Sequence, residues 1–276
     1  MRRLLSLAVL SLLCSSAAVG APDGGQARRP RSIVSLNLCA DQLLVALADR
    51  GQIAGLTRNV TDRQMSAVAA RAHGLPILKA SAEQVLAIAP DLIVGMPASR
   101  SWVAQALGTD GYRLLDLESA ENYRAITANI RKVAAAVGHP ARGEALLRRM
   151  DAELARLHPA GRGRVAAYYQ RRGFMTGTGT LVDEMMARAG LVNLATKLGK
   201  PPLAQVSLEE MVAARPDFLI VESATDRVSD QGTEMLHHPA LAGIPRISVP
   251  QAWTVCGGPE YVLAVKAMAE QAGARP

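Results

Sequence analysis

The sequence predicts an α/β protein: two Rossmann-like α/β lobes joined by a rigid helix. Three observations predict it: a short supersecondary unit that occurs twice, strand-like apolar runs alternating with helical stretches in each half, and a helical period through the middle. In the first copy, Ser81-Ala82-Glu83-Gln84 leads through a helical stretch to Pro90-Asp91 and the apolar run Leu92-Ile93-Val94. In the second, 126 positions on, Ser207-Leu208-Glu209-Glu210 leads to Pro216-Asp217 and Phe218-Leu219-Ile220. Each copy opens on a serine with Gln84 or Glu210 three residues later, a pattern that satisfies the free N–H groups of a first helical turn. The Pro-Asp pair stops the helix, and the apolar run suits a strand buried on both faces.

The other elements follow in chain order. Residues 32–36 form a strand, 41–48 a helix and 52–56 a strand; the first repeat then ends in the strand 92–94, and 112–115 forms another. Ile126, Ile130, Val133 and Val137 keep a 4-3-4 spacing, Gly138-His139-Pro140 breaks it, and Leu147, Met150, Leu154 and Leu157 resume at 3-4-3. Two helices are predicted there. The second, over 141–157, spans roughly 25 Å, enough to cross from one lobe to the other. A helix in that place restrains hinge motion more than a Gly/Ser linker would. Beyond it come a strand at 164–169, helices at 181–189 and 207–214, strands at 218–221 and 247–249, and a terminal helix at 261–271. Strands separated by helices imply a parallel sheet with covered faces in each half. The expected organisation is a leader over 1–20, an amino-terminal lobe over 21–118, linking helices over 119–160 and a carboxyl-terminal lobe over 161–276.

With 276 residues, 49% of them hydrophobic and 20% charged, the chain has the material for a large core, and disorder is excluded. The formal charge of +7 raises the question of nucleic acid. Its distribution answers no: basic residues are spread out in short pairs such as Arg171-Arg172, and no basic run is interleaved with aromatics. Arg2-Arg3, the apolar run Leu4 to Leu13 and the small residues Ser16 to Ala21 read as a signal peptide cleaved after Ala18 or Gly20. Removing residues 1–20 takes away two arginines and leaves +5. An apolar run that short falls below the roughly 20 residues of a membrane span, and Leu13 before Cys14 argues against a lipid anchor. The mature chain is expected to be exported to an oxidising compartment with two cysteines, Cys39 and Cys256, 217 positions apart. The expectation is two separately packed thiols; a long-range disulfide is the alternative.

Three lesser motifs carry no chemistry. Gly177-Thr178-Gly179 lacks the Gly-Lys-Ser/Thr of a phosphate loop and reads as a turn, with Thr180 capping the next helix. Asp183-Glu184 is explained by the dipole of that helix. His237-His238 cannot share a helix face, and His73, His139 and His158 are scattered, so no metal site is expected. No nucleophile is recognisable, so neither catalytic residues nor a cofactor is expected.

In order and spacing, Arg31-Ser32-Ile33-Val34-Ser35-Leu36, the paired Ser-x-Glu…Pro-Asp units, Gly177 to Glu184 and His238-Pro239-Ala240-Leu241 resemble the periplasmic solute-binding proteins of ABC importers for vitamin B12 and ferric siderophores. The resemblance covers nearly the whole mature chain. It implies a non-enzymatic, monomeric receptor with a ligand cleft between the lobes, a metal-chelate small molecule as ligand and an ABC permease in the inner membrane as partner. It also implies that Glu83 and Glu209, one on each lobe, pair with permease arginines. A Glu in a first helical turn is favoured by the macrodipole in any case, by about 0.3–1 kcal/mol, and both explanations can hold at once.

Because α/β sheets place their sites at the carboxyl ends of strands, the cleft is expected to be lined by Asn37 and Cys39, by Arg58 and Asn59, by residues 96–100 and 169–172, and by Trp253. Trp253 and Tyr169 are expected to stack on a planar chelate, and Arg58, Arg171 and Arg172 to meet its carboxylate or catecholate oxygens. The alternatives are solvated surface arginines and a core or rim tryptophan. Cys39 and Cys256, just past Trp253, depart from the family pattern, and a bond between them would cross the cleft. Two rivals remain. An exported chelatase-like enzyme needs a His or carboxylate cluster in the cleft; a receptor for haem or a free metal ion differs in ligand, and the free ion needs histidines converging from both lobes.

Overall fold

The structure, a computed structural model, describes residues 29–79, 81–107 and 112–274; the expected leader at 1–20, with Cys14, lies outside the described residues. The first half contains β1 (Ile33–Ser35), α1 (Leu38–Leu47), β2 (Ile53–Thr57), β3 (Ile77–Leu78), α2 (Ala82–Ile88), β4 (Leu92–Gly95), α3 (Trp102–Leu107) and β5 (Leu114–Asp116). Two long helices follow, α4 (Tyr123–Ala136) and α5 (Pro140–Arg156). The second half contains β6 (Val165–Tyr168), β7 (Phe174–Thr176), α6 (Leu181–Arg188), β8 (Val192–Asn193), α7 (Leu194–Leu198), β9 (Leu203–Gln205), α8 (Leu208–Ala214), β10 (Phe218–Glu222), α9 (Gln231–Glu234), β11 (Arg246–Val249) and α10 (Tyr261–Gly273).

Two separate sheets result, one per lobe. The first has the order β3-β2-β1-β4-β5 and the second β11-β10-β6-β8, with every pairing parallel. Read from β2 and from β8, the two orders are the same. The repeated unit therefore supplies equivalent strands, β4 and β10, each fully buried and each paired with the first strand of its lobe. A small antiparallel pair, β7-β9, stands apart.

The repeated residues each have a physical task. The hydroxyls of Ser81 and Ser207 accept from the N–H groups of Gln84 and Glu210, capping α2 and α8. Both helices end on a left-handed residue, Ala89 at φ 45° and Arg215 at φ 46°, which turns the chain into the following Pro-Asp. The carboxylate of Asp91 accepts from the N–H groups of Arg31 and Ser32. That of Asp217 accepts from Val165. In both lobes the Pro-Asp carboxylate thus holds the entrance of the neighbouring first strand.

The lobes are bridged by two antiparallel helices rather than one rod. At its start α4 meets the second lobe: the N–H of Tyr123 donates to Glu184, and the rings of Tyr123 and Tyr261 lie 5.3 Å apart. Its far end meets the first lobe, where Gln52 donates to the carbonyl of Val137. The helix α5 starts against Asp49, which takes a 2.7 Å ion pair from Arg142 and a 2.8 Å contact from His139, and then runs back to α10. The main apolar core is correspondingly unbroken. It passes from Leu43 and Leu44 through Ile130, Val133, Leu147 and Met150 to Met185, Val265 and Met268.

Cys39 and Cys256 form a disulfide with Cα atoms 5.3 Å apart, in place of the two separate thiols expected. Parallel sheets explain the correction. Cys39 follows β1 and Cys256 follows β11, and both strands send their carboxyl ends to the same cleft, so separation in sequence does not separate them in space.

Candidate functional site

In each sheet the chain winds one way from its first strand to β2 or β8 and the other way to β4 or β10. The point of reversal lies between β1 and β4 in one lobe and between β6 and β10 in the other. Such switch points open a crevice beyond the strand ends. Here the two crevices face each other across one cavity of about 310 Å³. Cys39, Met96 and residues 119–121 line it from the first lobe and the start of the bridge; Tyr168, Gln170, Glu222, Thr254 and Val255 line it from the second.

Glu222 ends β10 and is only 6% exposed. Burial pushes its carboxyl up, against the opposing effects of the Gln170 amide and the Arg171 charge. Its Oε1 takes a 3.3 Å hydrogen bond from Gln170. Tyr168 and Thr254 share a 2.9 Å hydrogen bond, and the Thr254 hydroxyl donates onward to the carbonyl of Gln251; Tyr168 is then the donor to Thr254. Burial raises the Tyr168 phenol well above its ordinary range, so it keeps its proton. Thr180 caps α6 as expected, accepting from Asp183 and donating to the carbonyl of Gly177, and it too lines the cavity.

Of the expected cleft residues, Met96 and Gln170 line the cavity, and Cys39 does so as half of the disulfide. Asn37 serves the loops. Its Oδ1 caps α1 through the N–H of Ala40, and its Nδ2 donates to the carbonyl of Met96, tying the loop after β1 to the loop after β4. Tyr169 is fully buried away from the cleft, with its hydroxyl donating to the carbonyl of Val206 and its pKa pushed up to about 12 by that burial. Strand alternation is the reason: Ala166 and Tyr168 enter the main core, Ala167 and Tyr169 a second core on the other face.

The remaining expectations also shift. Arg58 is exposed on the turn after β2, outside the switch point. Arg171 is exposed and pairs with Asp230 at 2.8 Å; Arg172, at φ 58°, uses its carbonyl to accept from Gln205. Trp253 is half-buried against the main core, while the next residues, Thr254 and Val255, reach the cavity. Glu83 and Glu209 are both exposed in the first turns of α2 and α8. Their own N–H groups and the hydroxyls of Ser81 and Ser207 hold both carboxyls below the ordinary range. A helix preceding a parallel strand starts at that strand's carboxyl end, so both glutamates sit on the cleft side of their lobes.

Two lobes of equal topology with one cleft between their switch points, and a match to the family model for periplasmic binding proteins over residues 33–247, decide the affiliation. The chain belongs to the periplasmic binding protein family. Among curated proteins it is 26% identical over 197 residues to the vitamin B12-binding protein of Pectobacterium carotovorum subsp. carotovorum (strain PC1), a match covering 68% of this chain and 70% of that one. Among solved structures, the periplasmic heme-binding protein RhuT from Roseiflexus sp. RS-1, in apo form, is 26% identical with a TM-score of 0.67, covering 88% of this chain and 99% of that one. The periplasmic vitamin B12 binding protein BtuF of Vibrio cholerae shares the fold at 16% identity, with a TM-score of 0.66 and coverages of 90% and 99%. Members of this family bind rather than transform their substrates, and no helix of the described residues is long and apolar enough to cross a membrane.

Glu222, Tyr168 and Thr254 were not singled out by the sequence reading. Glu222 had a signal: it is the charged residue that ends the apolar run Phe218 to Val221, and the carboxyl end of a buried strand is where such a sheet keeps its site.

Proposed function

We propose that this protein is the periplasmic receptor of an ABC importer, capturing a metal-chelate compound, a cobalamin-type corrinoid or a ferric siderophore, and delivering it to the permease in the inner membrane. The observation that carries this reading is the pair of switch points facing one cavity between the lobes. The relatives at 26% identity, one a vitamin B12-binding protein and one a heme-binding protein, support a planar or bulky chelate as ligand. Haem is the second reading on the same ground. The bridge helices, their unbroken core and the disulfide support binding with small lobe movement, because wide opening would expose apolar surface. The receptor acts as a monomer, since one copy holds the whole cleft.

Calorimetry with cyanocobalamin, ferric hydroxamate and catecholate siderophores and haemin tests the reading. One of them should bind at one per chain; no binding by any of them overturns it. Glu83 and Glu209 are the docking contacts to permease arginines. Reversing both charges, Glu83→Arg with Glu209→Arg, should abolish uptake in cells while ligand affinity stays as it was. Uptake at the unaltered level would remove the docking role.

A further inference from the structure

The arginines expected to meet an anionic chelate are absent from the cleft wall, and what replaces them points the other way. Among the described residues lining the cavity none is Lys, Arg or His, while Glu121 and Glu222 contribute carboxylates. Four of the side-chain donors that face it are spent inside the protein. Tyr168 gives its proton to Thr254, Thr254 to the Gln251 carbonyl, Thr180 to the Gly177 carbonyl, and Gln170 an N–H to Glu222. The hydrogen bond that the protein gives the Glu222 carboxylate is the one from Gln170 to Oε1, and the residue as a whole is 6% exposed. A carboxylate on so little-exposed a residue is stabilised by each further donor that reaches it. Arg171 is near enough to influence it but is engaged with Asp230.

We propose that the cleft selects an uncharged or cationic chelate bearing N–H donors, and that Glu222 determines this specificity by accepting a hydrogen bond from the ligand. The inference rests on the receptor function proposed above and narrows its ligand class. A peripheral amide or ammonium of the chelate supplies a further donor to the Glu222 carboxylate, in the strong charge-assisted form. A propionate or catecholate oxygen would instead meet like charge in a confined space with no cation to offset it. Gln251, also in the wall, extends the amide-compatible surface.

The test is a four-ligand affinity panel on the oxidised protein: cyanocobalamin, uncharged with primary amides; ferrioxamine B, a ferric trihydroxamate carrying an ammonium; haemin, with two carboxylates; and an anionic ferric tricatecholate. The tightest binder should come from the first two, by about tenfold or more over either anionic ligand. Glu222→Gln, folded by its melting curve, should weaken that binder by about tenfold or more and leave the anionic ligands as they were or improve them. An anionic ligand binding as tightly as the others, or an affinity indifferent to Glu222→Gln, overturns this inference and leaves the receptor function standing. Binding by none of the four overturns the receptor function and this inference with it. Because the panel on the unaltered protein is decisive by itself, a variant that fails to fold does not shield the proposal.

Discussion

Asp41 shows how much a single residue in such a fold depends on what surrounds it. It lies in the first turn of α1, fully buried, and accepts from both the N–H and the hydroxyl of Thr57. Burial outweighs those hydrogen bonds and the one from Ser35, and raises its pKa from 3.8 to about 6. The folded protein therefore holds this proton more tightly than the unfolded chain. The group's contribution to stability is greatest below about pH 4, falls as pH rises to about 6 and stays at its lowest above, a difference of about 3 kcal/mol. Denaturation of Asp41→Asn across pH 4 to 6 should show a flatter dependence than the unaltered protein; an identical slope would mean that Asp41 does not titrate there. The same dependence on surroundings governed the cleft. Tyr168 and Tyr169 are indistinguishable in the sequence, and only the face each takes in the sheet sends one to the cavity and the other to the core. An arginine on a loop at the correct end of a sheet, as Arg171 is, can still turn outward to an aspartate.

Elements marked by an apolar run or a helical period were legible, and the shortest strands without such a mark were not. The helices α4, α5, α6 and α10 and the strands β1, β2, β4, β6, β10 and β11 lie within a few residues of their expected places. By contrast β3 and β8 have two residues each and β9 three. Such strands exist because a neighbouring backbone offers hydrogen bonds, which periodicity cannot foresee. The helix α1 begins at Leu38, three residues before its expected start, because Asn37 caps it. The duplicated unit also stores strain: Ala89 and Arg215 hold left-handed backbone conformations that cost a residue with a Cβ about 1–2 kcal/mol. Ala89→Gly should relieve that strain and, after the greater entropy loss of glycine, raise stability by about 0.5–1 kcal/mol. A rise of the urea midpoint checks it, and a fall would show that the turn is not strained.

At the scale of the whole molecule, the main core, two bridge helices and one disulfide hold two lobes at a fixed spacing. A cross-link between residues 217 positions apart restricts the unfolded chain strongly, so Cys39→Ser with Cys256→Ser should lose about 2–5 kcal/mol. Urea unfolding measures the loss; a midpoint equal to that of the unaltered protein would show that packing alone sets the spacing. The sequence by itself determined the class of the protein: the duplicated Ser-x-Glu…Pro-Asp unit, the alternation of helix and strand and the central helical period depend on local chemistry and repeat along the chain, so they can be read without coordinates. Only the tertiary structure decided what the cleft is made of. Which of two adjacent tyrosines faces inward, whether an arginine meets a ligand or an aspartate, and whether distant cysteines join are all set by residues brought together from strands far apart in sequence, and burial and pairing act across those spatial contacts.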